Sequence, residues 1–518
     1  MKKIFLLFTL ISSFLMVAQT APSIQWQKSL GGTSRDTAKS ILQTLDGGYI
    51  LAGYSQSNDG DVSGNHGGWD YWIVKLDQSG NVQWQKSLGG GQSDYAQSVQ
   101  QSADGGYIVV GYSESNDGDV SGNHGDYDYW IVKLDSSGNI QWQKSLGGSY
   151  EDFAKSVQQT ADGGYIVGGY SQSNDGDITG HYGNYDYWIV KLDSSGNIQW
   201  QKSLGGTGED RANSVRQTTD GGYIIGGYSR SVDGNVSGNH GDYDYWVVKL
   251  NSIGNVQWQK SFGGSSIDIA TSVQQTTDSG YIIAGYSSST DGDVSGHHGN
   301  GGVYPDYWIV KIDSNGTIQW EKSLGGMFGD FAYAIRQTND GGYIVAGESW
   351  SSDGDVSGHK GSTSSSDYWI VKLNSIGNIQ WEKSLGGYDN DIASCIQQTA
   401  DDGYIVVGES ISDDGDVSGH HGSTVYNDVW VVKLTAEGLA TDETNITKIN
   451  IYPNPVKDIL NFSEEVLNVK ITDVSGKTVK QISAKGKSID ISGLTKGVYI
   501  ISATTKAGET VNKKIVKE

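Results

Sequence analysis

A single cysteine, Cys395, stands in a chain of 518 residues. No intramolecular disulfide can form, and a cysteine-rich metal site is excluded. Proline and phenylalanine are also scarce, 4 and 8 residues, against 74 glycines, 30 tyrosines and 16 tryptophans. Many turns with amphipathic aromatics suit an all-β protein. Basic side chains are outnumbered 36 to 60, which leaves a formal net charge of −24. That charge repels nucleic acid and anionic lipid. Nucleic acid is therefore not an expected partner, and cations, sugars or neutral surfaces fit better. Long apolar runs are missing too. The longest, Ile4 to Val17, is broken by Thr9, Ser12 and Ser13 and is shorter than the ~20 residues a membrane span needs. It follows Lys2 and Lys3 and precedes small residues at Ala18 and Ala21. This reads as a signal peptide over residues 1–18 with cleavage near Ala18. No cysteine follows for a lipid anchor, and no transmembrane segment is expected in the mature chain.

What is abundant is repetition. One tryptophan series runs Trp26, Trp84, Trp142, Trp200, Trp258, Trp320, Trp381, and a second runs Trp72, Trp130, Trp188, Trp246, Trp308, Trp369, Trp430. The spacing is 58 residues through the first five members of the first series and the first four of the second, then 62 or 61. Repeats of that length mark propellers or solenoids. Each unit holds four strand-like runs, in the first case Ser40–Thr44, Tyr49–Ser55, Tyr71–Leu76 and Val82–Leu88. Asp46-Gly47-Gly48 and Asp77–Asn81 supply the hairpin turns between them. Tyr49–Ala52 is unbroken apolar, as in a strand buried on both faces. Val82, Trp84 and Leu88 alternate with polar residues, as in an outer strand. The short, partly polar Ser40–Thr44 suits the rim of a water-filled channel. The expected fold is all-β: a seven-bladed β-propeller over residues 24–434. The region opens with an outer-type strand, Ile24–Leu30, and ends with a third-type strand, Val429–Leu434. Pairing them closes the ring and leaves no free sheet edge.

Tyr129–Asp135, the Gly138-Asn139 turn and Ile140-Gln141-Trp142 resemble the tryptophan-docking repeats of quinoprotein-like propellers. The resemblance implies the fold and says little of activity. Quinone-dependent dehydrogenases of that kind often carry a vicinal cysteine pair, which one cysteine rules out.

Repeat texture stops at Leu434. Residues 435–447 are polar and read as a linker. Residues 448–518 carry short alternating strands with turn signals, expected as a small β-sandwich. The run Ile451-Tyr452-Pro453-Asn454-Pro455, then Leu460-Asn461-Phe462, Ile471–Lys477, Leu494–Tyr499 and the basic end Lys513–Lys517 resembles the type A C-terminal sorting domain of the type IX secretion system of Bacteroidota. Pro453, Asn454, Pro455, Gly497 and Tyr499 are its sorting-motif residues here. The resemblance implies a secreted or cell-surface protein whose partner is the type IX machinery.

The loop between the second and third strands recurs in every unit. Asp59, Asp61, Ser63 and Asp70 place oxygens at positions 1, 3, 5 and 12 with Gly64 at 6, the spacing of a calcium loop. Asp117, Asp119, Ser121 and Asp128 repeat it, as do Asp175, Asp177, Thr179 and Asp186, and Asp233, Asn235, Ser237 and Asp244. Calcium is thus the one cofactor the spacing suggests. Asx turns explain the same residues more simply. Asp36, Asp94, Asp152, Asp210, Asp268, Asp330 and Asp391 follow the outer strands, where turn capping is the favoured role. Trp69, Tyr127, Tyr185 and Tyr243 sit at the eleventh loop position, placed to stack on sugars or, more simply, to pack between blades.

No nucleophile elbow, zinc-protease helix or phosphate loop is present. The nine histidines fall largely in the repeated loops, whereas catalytic sites are usually asymmetric. The sequence therefore reads as a non-catalytic binding or structural protein with carbohydrate or a surface protein as partner. The alternative is a polysaccharide hydrolase or lyase at the propeller mouth, where units five to seven, with longer loops, break the pattern.

Overall fold

The computed structural model describes residues 19–518 apart from 300–301, 363, 424, 440–450, 453–454, 474–476, 483–485 and 506–509. The expected signal peptide lies outside the described residues. Two compact units divide at Ala440, and each is taken by itself.

Among the described residues the first unit, to Leu439, holds seven four-stranded antiparallel sheets, the repeated sheets of a propeller-like fold. The first sheet orders Asp36–Gln43, Tyr49–Ser55, Asp70–Leu76 and Val82–Leu88 from inside outward. The next five repeat it in chain order. The last takes three strands, Asp391–Gln398, Tyr404–Ser410 and Asp428–Leu434, and in fourth place Ile24–Leu30. Leu30 pairs with Val429 and Ile24 with Leu434. Residues expected as the start of a linker are also tied down: Gln19–Thr20 pairs with Gly438–Leu439, and the Thr435 N–H donates to Ser23 O at 2.9 Å.

The inner strands are longer than the apolar pattern suggests. Asp36, read as a turn residue, is the first residue of its strand and fully buried, and a bulge between Ala38 and Ser40 resets the side-chain alternation. Periodicity failed there because a buried carboxylate opens the strand and the bulge breaks the period.

Packing between sheets explains the two tryptophan series. Trp72 and its six equivalents are fully buried. Its ring N–H donates to Gln85 on the neighbouring outer strand at 3.0 Å. Burying 150–250 Å² at ~25 cal/mol per Å² gives an upper limit of about 4–6 kcal/mol for each. The outer tryptophans dock edge-on against the next sheet: Trp26 meets Tyr49 at 5.7 Å and Trp84 meets Tyr107 at 5.8 Å. Gly138, at φ +79°, lies against Trp84, where a Cβ would come within 2.9 Å of the indole. Cys395 is buried, as expected, in the cluster that joins the last sheet to the first through Ala38, Ile41, Val407 and Val429.

Polar bonds follow the same circuit. Gln101 Oε1 accepts from Leu45 N at 2.9 Å and Gln159 Oε1 from Ala103 N at 2.8 Å. The series runs on to Gln43, which accepts from Ala400 N at 2.8 Å. Tyr71 donates to Trp130 O in the next sheet at 2.9 Å, and Tyr368 does the same to Trp430 O. Val429 replaces the tyrosine at the last junction.

In the C-terminal unit the long strand Ile459–Asp473 carries the sheet. Its first half pairs with Ile451–Tyr452 and Gly486–Asp490, its second with Thr478–Ile482 and Gly497–Thr505. Thr510–Lys517 pairs with Gly497–Thr505. Leu460, Phe462, Ile471, Ile501 and Ile515 form its core. Among the sorting-motif residues, Pro453 and Asn454 lie outside the described residues, and Pro455 is exposed. Gly497 opens a strand opposite Lys517. Tyr499 is buried and donates its hydroxyl to Thr495 O at 2.8 Å.

Candidate functional site at the channel mouth

The long loops hold their oxygens apart. Asp117 Oδ1 accepts from Gly91 N at 2.7 Å, and Ser121 Oγ accepts from the Gln143 amide at 2.5 Å. Asp119 Oδ2 faces Gly89 N at 3.3 Å, while Asp128 Oδ2 takes both N and Nδ1 of His124, at 2.9 and 2.7 Å. The first loop repeats the pattern: Asp59 accepts from Thr33 N at 2.8 Å, Asp61 faces Gly31 N at 3.4 Å, Ser63 accepts from Gln85 at 2.6 Å, and Asp70 takes His66. In the third, Asp175 accepts from Ser149 N at 2.8 Å, Asp177 faces Gly147 N at 3.2 Å, Thr179 bonds Gln201, and Asp186 takes Tyr182 N at 2.6 Å. In the fourth, Asp233 accepts from Thr207 N at 2.7 Å, Asn235 faces Gly205 N at 3.2 Å, Ser237 bonds Gln259, and Asp244 takes His240 Nδ1 at 2.7 Å. The expected convergence on one point is not found. No group of three His, Cys, Asp or Glu side chains able to hold a metal occurs among the described residues. The twelve-residue spacing has another cause: positions 1 and 3 secure the link entering the inner strand, and position 12 starts the third strand.

Position 12 meets a second carboxylate. Asp128 opens a third strand and Asp152 opens the inner strand of the next sheet. Both are fully buried. Gly147 lies between them, and a Cβ there would stand 2.5 Å from Asp128 Oδ1 and 2.6 Å from Asp152 Oδ2. Asp152 Oδ2 also accepts from Gly148 N at 2.8 Å and Ser173 Oγ at 3.0 Å, which is the expected capping role. Asp128 Oδ1 has no hydrogen-bond partner. Burial, with each carboxyl's repulsion of its neighbours, pushes Asp128 up to about 6 and Asp152 to about 7. The same pairing recurs around the ring, ending with Asp428 beside Asp36 at Gly31. His66, His124, His240, His298 and His421 bond the carboxylate that opens the third strand through Nδ1, whereas His181, His359 and His420 turn Nε2 to the loop carbonyls of Gly183, Ser362 and Ser423.

The loop aromatics pack on other rings. Trp69 meets Tyr54 edge-on at 5.1 Å, Tyr127 meets Tyr112 at 5.4 Å, Tyr185 meets Tyr170 at 5.5 Å, and Tyr243 meets Tyr228 at 5.3 Å. They buttress a set of tyrosines that sequence reasoning missed. Tyr54, Tyr112, Tyr170, Tyr228 and Tyr286 occupy the sixth position of the second strands; Glu348 and Glu409 occupy it in the last two units. With residues of the inner strands they enclose a cavity of about 550 Å³ at the channel mouth, on the long-loop side.

This cavity is asymmetric. The fourth position of the inner strands reads Lys39, Gln97, Lys155, Asn213, Thr271, Tyr333, Ser394, and the second position reads Thr37, Tyr95, Phe153, Arg211, Ile269, Phe331, Ile392. Core positions of the same repeats scarcely change. Variation between otherwise identical units was the signal in the sequence that marks these residues. Glu409 lies against Thr37 Oγ1 and Asn427 Nδ2 at 2.6 and 2.7 Å, and Glu348 accepts from Tyr333 at 2.8 Å. Burial favours the neutral form of Lys39, but Glu409 and Tyr54 outweigh it and hold the ammonium up.

Residues 450–518 match the family model described as "Secretion system C-terminal sorting domain". The tail is a type IX sorting domain. The protein is accordingly secreted or displayed at the cell surface, and the secretion machinery is its partner. Beta-agarase D of Zobellia galactanivorans is 36% identical over 70 residues, 13% of this chain and 15% of that protein. Regulatory protein FlaEY of Caulobacter vibrioides is 27% identical over 187 residues, 34% of this chain and 20% of that protein. The chain thus spans a fifth or less of these relatives' lengths. Among solved structures, PorZ of Porphyromonas gingivalis, described as a surface component of the type IX system, aligns over 90% of this chain and 58% of its own at 10% identity and TM-score 0.36. BamB of Moraxella catarrhalis aligns over 80% and 100% at 16% identity and TM-score 0.35.

Proposed function

We propose that this is a non-catalytic carbohydrate-binding propeller, seven-bladed and clasped by its N-terminal strand, which the sorting domain delivers to the cell exterior. One observation carries the binding reading. Seven near-identical units diverge where their inner strands meet the cavity, so that one mouth presents tyrosine faces on one side and carboxylates on the other. A symmetric scaffold with one asymmetric, aromatic-walled cavity suits one ligand in one orientation, and sugar rings stack on such faces. The clasp is supported by the pairing of Ile24–Leu30 with Asp428–Leu434.

Binding to a glycan array should therefore survive removal of the sorting domain. Tyr112→Ala and Tyr170→Ala should each weaken the strongest hit by roughly tenfold or more, about 1.4 kcal/mol. Trp69→Ala, a buttress at the rim, should cost less. Unchanged affinity in both tyrosine variants would refute the reading. Export has its own test. A chain ending at Leu434 should accumulate in the periplasm of a host with the type IX system, and its normal arrival in the medium would contradict the role of the tail.

A further inference from the structure

The geometry points to an anionic saccharide as the ligand of this cavity, with the Lys155 ammonium meeting a single carboxylate or sulfate ester on it. The inference rests on the binding reading above and names its chemical class. Cations gather here in a strongly acidic protein: Lys39, Lys155 and Arg211 come from inner strands of the first, third and fourth sheets. Two of them are balanced. Lys39 is held by Glu409, and Arg211 pairs with Glu209 at 3.0 Å.

Among the described residues Lys155 has no such partner, neither ion pair nor hydrogen bond. Its ammonium lies 5.1, 5.6 and 5.9 Å from the ring centres of Tyr112, Tyr170 and Phe153. Burial and then repulsion by Lys39 and Arg211 push it down to about 8. Arg211 adds a buried Nε with no acceptor, and its guanidinium lies over Tyr185 at 4.4 Å. A half-buried cation at the wall of a cavity, without a counter-ion, is a standing demand for an anion. The flanking tyrosine faces accept the ring that carries it. The chain's net charge of −24 disfavours a polyanion such as a nucleic acid at long range. One charged sugar inserted in the mouth meets only the local cations.

Calorimetry with the full mature chain tests this with three oligosaccharides of equal length, ending in a neutral hexose, a uronate or a sulfated hexose. At pH 7 the two acidic ligands should bind roughly tenfold more tightly than the neutral one; which is the tighter separates carboxylate from sulfate. Lys155→Gln should cut acidic binding roughly tenfold, so that the acidic and neutral ligands bind that variant alike. At pH 8 acidic binding should take up protons, read from buffers of different ionisation enthalpy, and Lys155→Gln should abolish that uptake. Equal affinity for all three ligands in the natural protein would overturn the inference and leave the binding reading intact. Failure of every saccharide to bind would overturn both.

Discussion

Raising the pH from 5 to 8 should lower the melting temperature of the propeller by about 10 °C. The cause is the ring of carboxylate pairs. Asp36 and Asp94 are pushed up to about 6 by burial, and Asp268, Asp330 and Asp391 to about 7. In an unfolded chain these groups titrate near their ordinary value, about 4. Between those limits the folded state holds more protons than the unfolded one. Stability therefore falls as pH rises through the window, and the loss is complete above the folded values. A shift of one unit corresponds to about 1.4 kcal/mol. Paired sites share their protons and do not add, so roughly 1 kcal/mol per junction is a sober allowance. Below about pH 4 the trend reverses. Asp46 and Asp162 are held down to about 2, where burial is outweighed by threonine hydroxyls and by Lys75 and Lys191. Their protonation removes those ion pairs, so the optimum should lie near pH 4. Chemical denaturation across pH 4–8 checks the sign. Asp128→Asn should raise stability at pH 8 and not at pH 5; a variant destabilised equally at both would show that the pair carries no repulsion.

Loss of residues 22–30 should do more damage than any point change. The deletion removes the whole strand Ile24–Leu30, the buried Leu30 and the Trp26 edge on Tyr49. It also strips the side-chain Oε1 of Gln27 from Trp430 Nε1, which donates to it at 2.8 Å. Leu30 alone accounts for about 2 kcal/mol, and the exposed edge of Asp428–Leu434 invites pairing between molecules. A fall in melting temperature of more than about 10 °C, with concentration-dependent aggregation, is expected. A shortened chain that melts where the natural one does would refute the clasp.

The sheet arithmetic and the pairing of the two end strands were legible because a second strand buried on both faces and a half-exposed outer strand have different patterns, and the ends of the region mismatched. The inner strands were not, because Asp36 and its equivalents look like turn residues and a bulge breaks the period. The loop spacing was legible but its cause was not: oxygens at calcium-loop intervals are satisfied one by one, by Gly91 N, Gln143 and His124. Nor was the cavity, because Tyr112 and Lys155 lie 43 residues apart and meet only when consecutive sheets pack. Comparing the repeats with one another, position by position, would have exposed them.

The most direct measurement is a crystal structure of residues 19–439 soaked with the strongest glycan-array ligand. The sugar should sit in the channel mouth, its ring against Tyr112 or Tyr170 and its charged group within hydrogen-bond reach of Lys155 Nζ. Density for the sugar on the outer loops or between blades, with the mouth empty, would contradict a channel-mouth binding site.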